Sequence, residues 1–201
     1  MQTVAETIRS LKANVSREEA LRHFTGGLRG VGAGVIRGRA RSIAELYIPY
    51  RLFRVRISNR GREETRIFAL DAVEGTLDLF EFPELPGESE VVALKTRNAL
   101  PCRLAAEQMQ EQLMGKVWRL VFSRGFLRLR DLQMEATAIA GDLYLPYWVC
   151  FRGGAQVARL EILDAVRRKA EGGKVRGLVQ DWLRGNSGAE DAEWKQPTGT
   201  K

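Results

Sequence analysis

Apolar and polar residues alternate along several parts of the chain in the way expected of β-strands with one buried face. Phe53, Val55 and Ile57 alternate with arginines, which places them on the buried face of a strand within an extended region at residues 39–57. Pro49 lies inside this region and cannot donate to a β-ladder, so we expect the strand to bend there, at an edge or a bulge. The same reasoning predicts further extended segments at residues 66–70, 76–82, 126–132, 136–149 and 157–163.

Apolar residues recur at helical spacing in other parts of the chain. A first helix is predicted from the spacing of Val4, Ile8, Leu11 and Val15. Ser16 and Glu19 form the pattern of a capping box, which predicts the start of a second helix. A third helix is predicted from Pro101 onwards, with Leu104, Met109, Leu113 and Val117 on its buried face. Residues 117–122 fit either the end of that helix or a strand, and residues 175–183 are predicted to form a closing helix.

Two short motifs occur twice in the chain. The motif Tyr-x-Pro-Tyr begins at Tyr47 and again at Tyr144, 97 residues later. The motif Leu-Asp-Ala-Val begins at Leu70 and again at Leu163, 93 residues later, and in both copies an arginine stands four residues upstream. A repeated supersecondary unit explains these recurrences.

The repeat predicts an α+β fold of two related helix-plus-antiparallel-sheet units, packed as one pseudo-symmetric body. Residues 1–82 form the first unit and residues 101–184 the second. Residues 83–100, which are acidic and contain proline, are predicted to link them. Residues 185–201 lack hydrophobic periodicity and are predicted to be disordered.

The order of elements resembles that of the PepSY family of cystatin-like modules. The resemblance rests on the helix start Ser16-Arg17-Glu18-Glu19-Ala20, on the turn Leu70-Asp71-Ala72-Val73-Glu74-Gly75 and on Leu163-Asp164-Ala165-Val166. In that family a helix packs on a small antiparallel sheet, and such a turn marks the last hairpin. The resemblance implies a role in restraining peptidases or in binding other proteins. PepSY-like modules are usually exported, whereas no signal peptide is predicted here.

The charges are distributed unevenly. The formal net charge is +7. Residues 17–66 hold twelve arginines and five acids, residues 67–94 hold seven acids and no base, and residues 95–130 hold eight bases and two acids. Two interpretations stay open: either the acidic segment pairs with the arginines, or the arginines form an open face that binds an acidic partner such as nucleic acid.

The candidate binding residues are arginines and aromatic residues of the two Tyr-x-Pro-Tyr regions. The aromatic side chains either pack over the sheet or form a ridge for a peptide strand, added at an edge marked by Pro49 or Pro146. The predicted set is Arg39, Arg41, Tyr47, Tyr50, Arg51, Arg54, Arg56, Tyr144, Tyr147 and Trp148.

Several chemistries are not predicted. His23 is the single histidine, and Cys102 and Cys150 are interpreted as free thiols, so no metal centre, cofactor site or disulfide is expected. A dyad of His23 with either cysteine is conceivable but has no support in the spacing. Asp71 and Asp164 are interpreted as residues that close turns, with a catalytic carboxylate pair as the alternative. The Gly-x-Gly pattern at residues 30–34 is interpreted as a turn and not as a phosphate cradle.

These observations favour a non-enzymatic interaction module that binds a protein or peptide partner. The alternative is a nucleic-acid-binding protein that uses the arginine-rich sheet face. No membrane span and no signal-peptide core are predicted, because Glu6, Arg9 and Lys12 interrupt the apolar residues at the N-terminus. We therefore expect a cytoplasmic protein. Its oligomeric state stays open.

Overall fold

The computed structural model describes residues 5–26, 40–59, 61–123, 132–153 and 159–193. Within these ranges it has eight strands and three helices, which confirms the predicted α+β class. The strands are β1 (Glu6–Leu11), β2 (Ala40–Asn59), β3 (Arg62–Asp71), β4 (Phe80–Phe82), β5 (Val91–Thr96), β6 (Gln133–Arg152), β7 (Arg159–Asp164) and β8 (Lys169–Ala170). The helices are α1 (Arg17–Thr25), α2 (Ala106–Ser123) and α3 (Gly173–Glu193). Along the described residues, none of these helices is long and apolar enough to cross a membrane.

The sheet is built around the antiparallel pairing of its two longest strands, β2 and β6. Each has 20 residues, and Ile48 lies directly opposite Leu145 near the middle of the pairing. On the far side of β2 the sheet continues through β3 to β4, and on the far side of β6 it continues through β7 to β8. β1 pairs with β5 and also meets β6 through a parallel contact between Ser10 and Tyr144. The result is one curled sheet in which β2 and β6 are central.

Side-chain alternation along β2 and β6 divides the core between the two faces of the sheet. On one face α3 packs, and this cluster includes Ile48, Tyr50, Leu145, Tyr147, Val175, Leu178 and Val179. On the opposite face α2 covers one half and α1 the other. The α2 cluster includes Phe53, Val55, Ile57, Met109, Leu113 and Val117, and the α1 cluster includes Ala20, Phe24, Trp148, Cys150 and Leu163. The central part of the sheet is therefore buried on both faces, whereas Arg54 and Arg56 in the second half of β2 are exposed.

Both prolines lie inside the central strands and not at an edge, so the predicted edge at Pro49 or Pro146 is wrong. The carbonyl of Pro49 accepts from the amide of Ala72 at 2.8 Å, and the carbonyl of Pro146 accepts from the amide of Ala165 at 3.1 Å. Each proline therefore turns its backbone polar atoms away from the β2–β6 ladder. The missing amide hydrogen costs no hydrogen bond between the two central strands.

Two buried aspartates hold the turns that follow β3 and β7. The carboxylate of Asp71 accepts from the amides of Glu74, Gly75 and Leu77 at 2.8–2.9 Å. The carboxylate of Asp164 accepts from the amides of Val166 and Arg167 at 2.7–2.8 Å and from Arg167 Nε at 2.6 Å. Both residues have no solvent-exposed area. Each closes a turn, in agreement with the first interpretation of their role.

Helix α1 begins with the predicted capping box. Ser16 Oγ accepts from the amide of Glu19 at 3.2 Å, and Glu19 Oε2 accepts from the amide of Ser16 at 2.8 Å. Before α2, the amide of Ala105 donates to Gln108 Oε1 at 3.4 Å, which is one half of the same arrangement. Residues 117–122 lie in α2, because Val117 and Val121 continue its buried stripe.

The structure also differs from the predicted elements in other places. The N-terminal helix is wrong, because Glu6–Leu11 forms β1 and finds its partner in β5, far along the chain. The segment at residues 83–100 contains β5 and is therefore more than a linker. Helix α3 continues to Glu193, beyond the predicted start of the disordered tail. The glycine-rich segment at residues 30–38 and the segment at residues 126–131 lie outside the described residues.

The hydroxyls of Tyr50 and Tyr147 meet at 3.0 Å in the centre of the core. Burial raises the pKa of both hydroxyls, so the pair stays protonated. We expect Tyr50→Phe or Tyr147→Phe alone to lower the free energy of unfolding by about 1–3 kcal/mol, because each leaves a buried hydroxyl without its partner. The double variant should lose less than the two single losses added together, as measured by chemical denaturation. Strict additivity would contradict this account of the pair.

Candidate functional site

A cleft of about 1170 Å³ lies along the outer edge of β7. The end of α1 forms one wall, from Arg22 to Gly26, and the start of α3 forms the other. Backbone and side chains of β7 form the floor between them, including Leu160 and Ile162. The cleft therefore lies where the next strand of the sheet would be.

The edge of β7 that faces the cleft is paired only at its end. β8 pairs with Leu163 and Asp164, and the carbonyl of Ile162 accepts from the amide of Glu171 at 2.8 Å. No described strand pairs with β7 before these residues. Because the backbone polar groups of a strand point alternately to either side, the amide and carbonyl of Leu160 face the same side as the carbonyl of Ile162. They are directed into the cleft, where no described residue forms a hydrogen bond with them.

Packing of the two helices against opposite faces of the sheet makes this edge into a slot. The side chains of Leu160 and Ile162 share the core cluster that contains Val175 and Leu178 of α3. On the other face, Leu163 shares a cluster with Ala20 and Phe24 of α1. On α3, Gly173 and Gly177 border the cleft, and a Cβ at either position would meet no atom within 4 Å. The slot therefore has room on the side of α3.

The cleft carries an excess of positive charge. Four arginines and two glutamates line it. Glu161 is paired with Arg152 Nε at 2.8 Å, and Arg152 also donates to the carbonyl of Phe24 at the end of α1. Glu171 is paired with Arg167 at 3.1 Å, and burial raises its pKa.

The remaining three arginines of the cleft are Arg22, Arg159 and Arg176, and none forms an ion pair with a described residue. Glu18 and Glu19 lie on the same helix as Arg22, close enough to offset part of its positive charge. Arginine binds carboxylates and phosphates through planar pairs of donors. The cleft is therefore suited to a ligand that combines an extended backbone with negative charge.

The predicted binding residues are divided between the core and the surface. The five aromatic members, Tyr47, Tyr50, Tyr144, Tyr147 and Trp148, are all buried, as the packing interpretation expects. The arginine members do not form one surface with them. Arg51 pairs with Asp142 at 3.0 Å, Arg56 reaches Glu135 at 3.9 Å, and Arg41 and Arg54 are exposed.

Arg39 lies outside the described residues, so its place in this set is not described. The acidic segment at residues 67–94 pairs with the arginines of residues 17–66 at one place among the described residues, where Arg66 contacts Glu81 at 3.2 Å. Binding of nucleic acid by the arginine-bearing face stays a prediction.

Neither thiol is arranged as an activated nucleophile. Cys102 is exposed, and its Sγ donates to Asp142 Oδ2 at 3.4 Å. Partial loss of hydration at the sulfur is the larger cause, and the nearby Asp142 carboxylate the smaller, that raises the pKa of this thiol to about 11. Burial also raises the pKa of Cys150. His23 lines the cleft, with its ring edge-on to Phe24 at 5.5 Å, and no hydrogen bond joins it to either thiol among the described residues. Asp71 and Asp164 do not line the cleft.

Sequence reasoning did not single out the residues of the cleft. Arg22, Arg159, Arg176 and Gly177 belong to three different elements, and only Arg159 was noted, as the arginine upstream of the second Leu-Asp-Ala-Val motif. The sequence did contain one indication of an open edge. Only a few residues separate the turn after Asp164 from the glycines at 172–173, and a strand that covered β7 would need more. That spacing predicts an open edge but not the helices that enclose it.

Comparisons with known proteins add no assignment to this site. No family model matches the chain, and no curated protein or solved structure is significantly similar to it.

The raised pKa of Cys102 makes a testable prediction about its reactivity. At pH 8 we expect iodoacetamide to alkylate Cys102 about tenfold more slowly in the folded protein than in the urea-unfolded chain, because less of the thiol is ionised. The rate should continue to rise with pH up to about 11, where the thiolate becomes dominant. Peptide-level mass spectrometry follows Cys102 separately from Cys150. Equal rates at pH 8 in the folded and unfolded chain would contradict the assignment.

Proposed function

We propose that this chain is a non-enzymatic interaction module that binds an extended peptide segment of a partner protein as an added strand beside β7. The observation that carries the proposal is the open edge of β7 within a cleft that has a helix on each face of the sheet. A segment placed there would satisfy the amide and carbonyl of Leu160 and the amide of Ile162. Main-chain hydrogen bonds would supply affinity, and alternate side chains would supply specificity.

The size of the cleft supports a peptide over a small molecule. Small-molecule pockets usually enclose about 300–1,000 Å³, and this cleft is larger and open along a strand. A strand beside β7 would lie about 4.7–4.9 Å from it. It would be covered by α1 on one side and α3 on the other, so that an added segment would bury surface on both of its faces.

We also propose that the two halves of the chain are related, pseudo-symmetric units, as the repeated motifs predict. Three observations support this. Ile48 lies opposite Leu145, which is its counterpart at the spacing of 97 residues. Tyr50 contacts Tyr147, again its counterpart. Asp71 stands opposite Tyr50 on β2 just as Asp164 stands opposite Tyr147 on β6.

This relation strengthens the peptide proposal, because the first half fills the position that the second half leaves open. β4 pairs with β3 at residues 67–69. At the spacing of 93 residues, these positions correspond to residues 160–162. Glu171 already lies opposite Ile162, whereas no described residue pairs with Leu160 on this side. The chain thus places a short strand of its own beside β3, and a strand supplied by a partner would take the matching place beside β7.

Gly177→Leu tests the proposal, because Gly177 borders the cleft and a Cβ at this position would meet no atom within 4 Å. The substitution should leave the fold intact, since leucine is a better helix former than glycine by about 1 kcal/mol. We expect a displayed library of random short peptides to yield ligands for the unmodified chain that bind Gly177→Leu at least about tenfold more weakly, measured by fluorescence anisotropy with synthetic peptides.

Gly185→Leu is the matched control, since Gly185 lies on the same helix, is exposed and lies outside the cleft. Ligands should bind this variant as they bind the unmodified chain. Methylation of alternate backbone amides of a selected peptide should also abolish binding, because it removes donors to β7. Selected peptides that bind both glycine variants equally would show that the cleft is not the site, and a library without ligands would refute the proposal.

A further inference from the structure

We infer that the peptide bound beside β7 carries an acidic residue next to an apolar residue. The inference rests on the proposed function and adds the chemistry of the ligand to it. The chain itself uses such a pair beside β3, where Glu81 and Phe82 of β4 lie opposite Phe68 and Ile67. Two further observations, on the charge and on the apolar surface of the cleft, point to the same pattern.

The acidic residue of β4 is held by an arginine of β3. Glu81 Oε1 accepts from the guanidinium of Arg66 at 3.2 Å, and Arg66 directly precedes the residues that pair with β4. Arg159 stands at the corresponding place before the open edge of β7, four residues upstream of the repeated Leu-Asp-Ala-Val motif. It lines the cleft, is exposed and forms no ion pair with a described residue. An acidic side chain at the centre of the added strand would reach it.

The surroundings of Arg159 favour this charge. Arg22 lies on the same side of the cleft, and Arg176 lies across it on α3. Glu161 would stand opposite the acidic residue of the ligand, as Phe68 stands opposite Glu81, but its charge is compensated by Arg152 at 2.8 Å. The net positive charge therefore attracts an anionic side chain and disfavours a cationic one.

The apolar residue of the pattern matches the other side of the slot. Phe80 and Phe82 are 7% and 8% exposed, and they pack in the central cluster beside Ala69 and Ile67. An apolar side chain opposite Leu160, at the place that Phe82 takes opposite Ile67, would point to the face where Leu160 and Ile162 meet α3. Gly177 leaves open space there, so the slot admits aromatic or large aliphatic side chains.

A capped synthetic peptide with the sequence of residues 78–84, Asp-Leu-Phe-Glu-Phe-Pro-Glu, is a suitable probe, since it contains the strand that the chain uses beside β3. We expect it to bind the unmodified chain and to compete with library-selected peptides. Replacing its central glutamate with glutamine should weaken binding about tenfold, and replacing it with lysine should weaken binding further. Added salt should reduce the difference between the glutamate and glutamine peptides.

A charge exchange tests whether Arg159 is the partner of the acidic residue. Arg159→Glu should bind the glutamate peptide at least about tenfold more weakly and should recover binding of the lysine peptide. Arg62→Glu is the control, because Arg62 is exposed on β3, outside the cleft, and the change in net charge is the same. It should preserve the order of affinities seen with the unmodified chain.

The outcomes separate this inference from the proposed function. If library-selected peptides bind in the cleft but the glutamate, glutamine and lysine probes bind equally, the inference is wrong and the proposed function stands. If no peptide binds, both are wrong. Self-association that is abolished by Gly177→Leu, detected by sedimentation, would identify a second copy of the chain as the occupant and would also overturn the inference.

Discussion

The antiparallel pairing of β2 with β6 is the constraint on which the other features depend. Because side chains alternate along a strand, a slip of one residue in this register would exchange the two faces of the sheet along 20 residues. The observed register puts Ile48 opposite Leu145 and brings the hydroxyls of Tyr50 and Tyr147 together in the core. It also fixes the outer strands, since β3 can pair only with the free side of β2 and β7 only with the free side of β6.

The two outer edges of the sheet differ because the chain continues differently after each aspartate turn. After Asp71 the chain continues to β4, which returns beside β3 and covers residues 67–69. After Asp164 the chain makes only the two-residue strand β8 and then enters α3 at Gly173. The helix continues across one face of the sheet, so no described segment returns along the first part of β7. Similar turns therefore lead to a covered edge in one half and an open edge in the other.

The sequence predicted those parts of the fold that depend on local patterns. The capping box at Ser16, the buried stripe of α2 and the alternation in β2 are each determined within a few residues, and the structure has them as predicted. The segment at Glu6–Leu11 was predicted wrongly because its apolar spacing fits a helix as well as a strand. Its pairing with β5, about 85 residues away, decides between them, and no local pattern contains that information.

The candidate site was harder to predict because it too depends on contacts between distant parts of the chain. Its residues come from α1, β7 and α3, and they become neighbours only when both helices pack on opposite faces of one sheet edge. The prediction from composition favoured Arg54 and Tyr50 because arginine and aromatic residues are common in binding surfaces. Tyr50 is instead required in the core, and Arg54 lies on an exposed sheet face without an ion pair among the described residues.

Amide hydrogen exchange measured by NMR is the most direct test of the central claim that the edge of β7 is open. The amides of Leu160 and Ile67 occupy corresponding positions on β7 and β3, and both point away from the central strands. The account predicts rapid exchange at Leu160, which has no described partner strand, and slow exchange at Ile67, which pairs with β4. Protection of Leu160 as strong as that of Ile67 in the free protein would show that the position is already occupied and would contradict the account.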